Sequence, residues 1–282
     1  MSKLRTVIAL DVGGTNTRCA LIDEKYNIIK VIRERTNRGS VDGFLNQIRK
    51  IITSLNARKY NPLGIICGVP GKVEANGYIP ILPNIHIENI PLKEYLEKYF
   101  SLPIIVRNDA EIAAVAEGYL GSGKAAKSTY FITISTGIGG CYFENNRIKN
   151  IDQEIGHTVI RYKNNFYEFE KIASGDGLVK LAELNNVHIT SSYEFFDRLR
   201  VNDPDVTFIF NDWLSLISNF IHFVNKTYKP EVFAFTGGIM HQKDLFFPKL
   251  QALHPNLNLV EAEFSFNAGI IGAAALGFLT II

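Results

Sequence analysis

Asp11-Val12-Gly13-Gly14-Thr15-Asn16-Thr17-Arg18 follows an apolar run at residues 6–10, and Ser135-Thr136-Gly137-Ile138-Gly139-Gly140 follows another at residues 130–134. Both runs have the character of β-strands, and both end in glycines. Paired glycines allow a tight turn at positive φ and bring bare N–H groups close to an anion. Either turn alone is commonplace, but the duplication points to two related units that together grip one polyphosphate. The residues after the glycines, 18–22 and 141–143, are again strand-like, and turn residues follow at 23–27 and 144–147. Each unit is therefore expected to begin with a hairpin whose tip carries the glycines. No Gly-Lys-Ser/Thr follows them, as a Walker loop would require, and Gly-x-Gly-x-x-Gly is absent.

Working outward, a third strand is expected near 28–35. Phe44, Ile48, Ile51 and Leu55 then recur at spacings of three and four, which predicts an amphipathic helix over 41–55. A strand at 63–69 ends in Pro70-Gly71 and opens into a loop rich in turn formers and amides, which contains Asn84. A helix at 92–100 and a strand at 103–107 lead to Asn108-Asp109, directly before a helical run at 111–120. Asp109 suits two roles there, a helix cap or a working carboxylate held at a strand-to-helix junction. After the second hairpin come Glu154-Ile155-Gly156-His157, Glu168, Glu170 and Ser174-Gly175-Asp176-Gly177. Glu154 and His157, three apart, read either as a surface pair or as two contacts to one ligand. A helix buried on more than one side is expected at 208–224. A strand at 231–235 ends in Thr236-Gly237-Gly238, with a helix at 241–250, a strand at 258–263 and a terminal helix at 268–282 still to come.

A chain of 282 residues, 46% of them hydrophobic, has enough apolar surface for one large or two medium domains. The expected division is a small N-terminal domain at 1–110 and a large one at 111–267, with the 268–282 helix packing back on the first. Thirty basic against 28 acidic residues give a net charge of +2, which makes no electrostatic case for nucleic acid. Cys19, Cys67 and Cys141 are odd in number, widely spaced and set in apolar segments, so buried free thiols in a reducing, cytoplasmic setting are expected. The 268–282 stretch is apolar but shorter than the roughly 20 residues needed to cross a bilayer. No membrane association is expected.

The ordered set Asp11-x-Gly-Gly-Thr, Pro70-Gly71, Asn108-Asp109, Ser135-Thr-Gly-Ile-Gly-Gly140, Glu154-x-x-His157 and Thr236-Gly-Gly238 resembles ROK sugar kinases and repressors (repressor, open reading frame, kinase) over nearly the whole chain. The resemblance implies an α/β fold of the actin-like ATPase (ribonuclease H-like) type, with two duplicated βββαβαβα domains flanking a cleft. It implies an ATP-dependent hexokinase acting on the 6-hydroxyl of an aldohexose, either glucose or an N-acylhexosamine such as N-acetylmannosamine. Asp109 would be the general base. Gly71, Asn84, Asn108, Asp109, Glu154, His157 and Glu170 would bind sugar. Asp11, Gly13, Gly14, Thr15, Asn16, Thr136, Gly137, Gly139 and Gly140 would lie at the ATP phosphates, with Gly237 and Gly238 near the adenosine and Asp11 orienting hydrated Mg2+. A homodimer is the assembly that many relatives would suggest.

One departure from the family pattern is plain. Many relatives hold a structural zinc with the His of Glu-x-Gly-His and a Cys-x-Cys-Gly-x-x-Gly-Cys loop, but residues 160–174 contain no cysteine. No zinc is therefore expected. The 164–169 loop would be ordered by packing of Phe166, Tyr167 and Phe169, leaving His157 to act on sugar alone. Repressors of the family place a helix-turn-helix domain before the first strand, which here begins at about residue 6. A non-catalytic sugar sensor and an actin-like ATPase without a sugar acceptor also compete with the kinase, and the Asn108-Asp109 and Glu154-x-x-His157 pairs speak against both.

Overall fold

The computed structural model describes residues 4–82, 85–149 and 154–281. In chain order the first elements are β1 (Thr6–Val12), β2 (Asn16–Asp23), β3 (Ile28–Arg35), α1 (Val41–Ser54), β4 (Ile65–Val69), β5 (Ile79–Leu82), β6 (Ile87–Ile90), α2 (Leu92–Glu97), β7 (Ile104–Asn108) and α3 (Asp109–Tyr119). Next come β8 (Ser128–Ile134), β9 (Ile138–Glu144), β10 (Arg147–Ile148), β11 (Val159–Tyr162), β12 (Asn165–Glu168), α4 (Glu170–Ala173), α5 (Gly175–Glu183), α6 (Ser192–Arg200) and α7 (Pro204–Tyr228). The last are β13 (Val232–Thr236), α8 (Lys243–Leu253), β14 (Leu259–Glu261) and α9 (Ala268–Thr280).

Two five-stranded sheets are ordered β3-β2-β1-β4-β7 and β10-β9-β8-β13-β14. The order is the same in both. In each, a central strand pairs antiparallel with the strand after its glycine turn, as in β1 with β2 and β8 with β9. The same central strand pairs parallel on its other side, β1 with β4 and β8 with β13. The apolar runs that end in glycine are thus the middle strands, buried on both faces, which explains their unbroken hydrophobicity.

The chain divides into two compact units, one of Met1–Gly121, Asn146–Ile148 and Phe264–Ile282, the other of Ser122–Asn145 and Lys149–Glu263. In the first unit α1 is capped by Ser40, whose hydroxyl accepts the Gly43 N–H, and its Phe44, Ile48 and Ile51 join one buried cluster with residues of β1, β4 and β7. The C-terminal helix α9 packs on α3, β1 and β4 through glycine and alanine. A Cβ at Gly272 would lie 1.9 Å from the Ile112 carbonyl oxygen, so the two helices meet backbone to backbone.

The second unit is built around aromatics. Trp213 of α7 is fully buried, donates from Nε1 to the Ala173 carbonyl at 2.7 Å and meets Phe196, Phe210 and Phe246. Asp203 caps α7 by accepting the Asp205 and Val206 N–H groups, with Pro204 in the first turn.

Two hairpins, β5–β6 and β11–β12, replace segments read from sequence as loops. Each strand has only four residues, and Pro80 interrupts the first. Alternation over so short a span is no signal. The three cysteines are buried outside any disulfide, and burial raises the Cys19 thiol well above its ordinary value and pushes Cys67 up to about 12. Among the described residues no helix is long and apolar enough to cross a membrane.

Candidate active site

The first glycine turn is shaped by what its carbonyls accept. Gly13 N–H donates to the Asn16 carbonyl at 2.9 Å, closing the β1–β2 tip. The Thr36 hydroxyl donates to the Gly13 carbonyl at 2.6 Å, the Thr36 N–H to the Thr15 carbonyl at 3.0 Å, and Arg38 Nε to the Gly14 carbonyl at 2.9 Å. Three successive carbonyls are thereby held by the segment after β3. Among the described residues no turn hydrogen bond takes the N–H of Gly14 or Thr15. Neither Gly13 nor Gly14 adopts the positive φ expected of them. The four-residue turn closes without it.

Asp11 stands at the end of β1. Its Oδ2 accepts from Arg18 Nη2 at 2.6 Å and from Nε at 3.1 Å, a two-toothed pairing with side chains only 22% and 10% exposed. Arg18 in turn donates to the Phe266 carbonyl and to Asn267 Oδ1 and stacks 4.0 Å over the Phe266 ring. A Cβ at Gly269 would fall 2.5 Å from Asp11 Cγ, so α9 presses directly on this carboxylate. Asp11 is thus clamped from the C-terminal segment, a constraint that no local pattern announces.

At the β7–α3 junction the cap falls to the residue before Asp109. Asn108 is the N-cap: its Oδ1 accepts the Ala110 N–H at 2.8 Å and the Glu111 N–H at 3.4 Å, and the Glu111 carboxylate accepts the Asn108 N–H. Asn108 is buried, and its Nδ2 donates to the Gly71 carbonyl at 2.9 Å. Gly71 follows β4 with φ at 84°, a left-handed conformation that glycine adopts without strain. Asp109 occupies the first helical position, exposed, with Oδ1 near its neighbour's N–H at 2.8 Å. Asn108 therefore does the capping. Asn84 lies outside the described residues.

In the second unit the glycines divide differently. Ser135 N–H donates to the Gly137 carbonyl, so the turn is Ser135-Thr136-Gly137, while Gly139 and Gly140 lie within β9 opposite Thr133 and Ile132. Their backbones belong to the sheet ladder. Gly140 serves packing, since a Cβ there would lie 2.4 Å from Ile155 Cδ1. Thr136 is the tip residue, where Gly14 and Thr15 stand in the first turn, and the Gly137 carbonyl closes the turn as that of Asn16 does. Gly237 takes φ at 100° and lies so near the end of β8 that a Cβ would come within 2.1 Å of the Ile134 carbonyl oxygen.

A cavity of about 170 Å3 adjoins this turn, with Thr136, Gly175, Asp176, Tyr193, Phe196 and Gly238 in its lining. Gly175 and Asp176 open α5, which Ser174 caps, and the Gly175 N–H donates to the Ser135 carbonyl at 2.6 Å. Tyr193 and Phe196 of α6 were not legible as cavity residues, because helical periodicity assigns such aromatics to a core.

Glu154, His157 and Glu170 come together in the same unit. Glu154 precedes a single 3-10 turn, Ile155–His157, and accepts the His157 N–H through its backbone carbonyl at 3.0 Å. Glu170 opens α4; its Oε2 accepts the Ile138 N–H at 3.3 Å and its Oε1 lies 3.2 Å from Lys171 Nζ. A Cβ on Gly137 or on Gly156 would meet that Oε2 within 3 Å. One carboxylate thus ties the glycine turn to the Glu-x-x-His turn.

His157 is not left to act alone. Its Nε2 lies 3.4 Å from Glu154 Oε2 and its Nδ1 3.2 Å from Glu168 Oε2. Ligand atoms of His157, Glu168 and Glu170 all fall within 4.8 Å of one another, a donor set that could hold a metal ion without cysteine. The order of this segment also differs from expectation. Phe166 is 71% exposed, while Phe169 is buried and stacks on Phe220 at 4.9 Å, and the segment folds back on itself as β11–β12. Backbone pairing supplies what Phe166 does not.

Residues 7–278 match the ROK family. The chain belongs to the ROK family. This ROK protein is 32% identical to a glucokinase of Halalkalibacterium halodurans, in an alignment covering 55% of the chain and 50% of that enzyme. Among solved structures it resembles a ROK hexokinase from Thermus thermophilus, with a TM-score of 0.85 at 22% identity over 98% of this chain and 99% of the other. A ROK glucokinase from Streptomyces griseus, in complex with glucose and AMPPNP, gives a TM-score of 0.73 at 21% identity over 96% and 98% of the two chains. The two mixed five-stranded sheets of this ROK protein are those of the actin-like ATPase fold.

Proposed function

We propose that this ROK protein transfers the γ-phosphoryl group of ATP to the 6-hydroxyl of an aldohexose, glucose or an N-acylhexosamine such as N-acetylmannosamine. The observation that carries the reading is the division of labour at the β7–α3 junction. Asn108 takes the cap, and the Asp109 carboxylate, exposed on the same rigid junction, suits a general base. It accepts the proton of the attacking hydroxyl. Phosphoryl transfer otherwise asks mainly for positioning and charge neutralisation. The N–H groups of Gly14 and Thr15 in one unit, and of Thr136 and Gly137 in the other, are of the kind that hold phosphate oxygens. The cavity beside Gly238 suits the adenosine.

Sugar hydroxyls would meet Glu154, His157 and Glu170, a polar set that rejects analogues leaving a buried partner unpaired. Asn108, bonded to Gly71, acts on the sugar chiefly by placing Asp109. Asp11 offers the hard oxygen that Mg2+ prefers, through a bound water, and there Mg2+ would offset phosphate charge. The Asp11 carboxylate is only partly exposed and is oriented by Arg18, which suits an outer-sphere role.

The test is ADP release by Asp109→Asn, screened over glucose, mannose, fructose, N-acetylglucosamine and N-acetylmannosamine. Loss of a general base should lower kcat by about 100- to 10,000-fold, with sugar affinity retained. Near-normal turnover in the variant would sink the assignment of Asp109. Sugar binding by the wild-type chain with no ADP release would favour a non-catalytic sensor.

A further inference from the structure

The β11–β12 hairpin puts Glu168 opposite Val159, and the Phe169 N–H donates to the Thr158 carbonyl at 2.8 Å. His157 precedes Val159 by two residues and so approaches Glu168 on the diagonal of the ladder, where side chains share a face. Glu170, two residues beyond Glu168, continues that side. Phe169, buried between the two acids and stacked on Phe220, fixes the strand end from which Glu168 projects. The Glu168 carboxylate is therefore held by backbone register and core packing, while His157 sits in a single 3-10 turn closed by two hydrogen bonds.

We propose that Glu168 is the positioning residue for sugar recognition by His157. His157 Nδ1 lies 3.2 Å from Glu168 Oε2, and a proton held on Nδ1 by that carboxylate selects both the ring orientation and the tautomer. The opposite nitrogen, Nε2, is then an acceptor beside Glu154 Oε2, at 3.4 Å. Two acceptors side by side suit two neighbouring hydroxyls of a pyranose. The inference rests on the sugar-kinase reading for the role of His157, and adds to it the group that aims the ring. A cation held by His157, Glu168 and Glu170 is the rival use of the same atoms. Glu170 argues against it, because one of its oxygens accepts the Ile138 N–H and the other faces Lys171.

The test uses the full chain labelled with 15N-histidine, without sugar. The His157 ring is assigned by its loss in His157→Gln, and long-range 1H–15N correlations report the tautomer. Wild-type protein should show His157 protonated at Nδ1, and Glu168→Ala should lose that preference. In the ADP-release assay Glu168→Ala should raise the sugar KM about fivefold, the scale of one part-exposed ion pair, with kcat within about twofold and the ATP KM unchanged. Glu168→Gln, which keeps an acceptor oxygen, should restore most of the affinity. A merely structural residue would lower the thermal midpoint and would not show that rescue.

An unchanged tautomer and sugar KM in Glu168→Ala would overturn the proposal. Stoichiometric Zn2+ uptake by EDTA-treated wild-type protein, lost in Glu168→Ala, would also overturn it, in favour of a metal site. If the wild-type chain phosphorylates no hexose, the kinase reading falls, and the ring spectrum still decides whether Glu168 orients His157.

Discussion

Gly237 and Gly238 are neighbours in sequence, yet their substitution by alanine should have opposite consequences. At Gly237 the backbone has φ at 100°, where a side chain costs about 1–2 kcal/mol. The added Cβ would also lie 2.1 Å from the Ile134 carbonyl oxygen and 2.7 Å from its nitrogen. Those atoms belong to β8, the central strand of its sheet, so relief means moving a strand paired on both sides. Overlap of this kind adds roughly 1–3 kcal/mol. Gly237→Ala should therefore cost about 3 kcal/mol, or roughly 6–12 °C in thermal midpoint.

At Gly238 the nearest atom to a Cβ is Ser135 Oγ at 3.7 Å, an ordinary contact, and φ is not in the left-handed range. Gly238→Ala should stay within about 0.5 kcal/mol of wild type. Its methyl group would enter the lining of the 170 Å3 cavity and raise the ATP KM with the sugar KM unchanged. Urea titration by far-ultraviolet circular dichroism measures the first effect, and ADP release at varied ATP the second. Equal destabilisation by the two variants would refute the reasoning from backbone conformation.

Three further outcomes are expected. Arg18→Gln should destabilise the first unit by about 2–3 kcal/mol, somewhat less than the roughly 3–5 kcal/mol for breaking a fully buried pair, because Asp11 keeps some exposure. Arg18→Lys should recover only part of this in urea titration, since an ammonium cannot make the two-toothed contact. His254 is held below its ordinary 6.5 by burial and by His222. The unfolded chain then binds the extra proton first, so stability should fall as pH drops from about 7 to 5, and His254→Gln should flatten that slope in pH-dependent melting. The three buried thiols should resist a thiol reagent at pH 8 in the folded protein and react together on unfolding, as counted by absorbance.

Several features were legible because they are local. The apolar runs ending in glycine read as strands and are the central strands of the two sheets, and their repetition pointed to two related units. The spacing of Phe44, Ile48 and Ile51 was enough to place α1, and that of Trp213, Ile217 and Val224 to place α7 as a doubly packed helix. The β5–β6 and β11–β12 hairpins escaped because four-residue strands carry too little alternation to stand out. The helix expected from residue 241 begins as a 3-10 turn, Gly238–Gln242, before α8. Boundaries of this sort depend on the fold around them.

Read alone, the chain determines which residues pair their apolar faces and which junctions carry polar groups, since strand and helix periods act over a few residues. It could not decide whether Asp109 caps the helix or serves as a working carboxylate, because its side chain suits both. The bond from Asn108 to Gly71, 37 residues earlier, goes with the choice the structure makes. Nor could it show that α9 presses on Asp11, or that Glu168 faces His157. Those contacts depend on register and on close approach between segments distant in the chain, which only the closed tertiary structure creates.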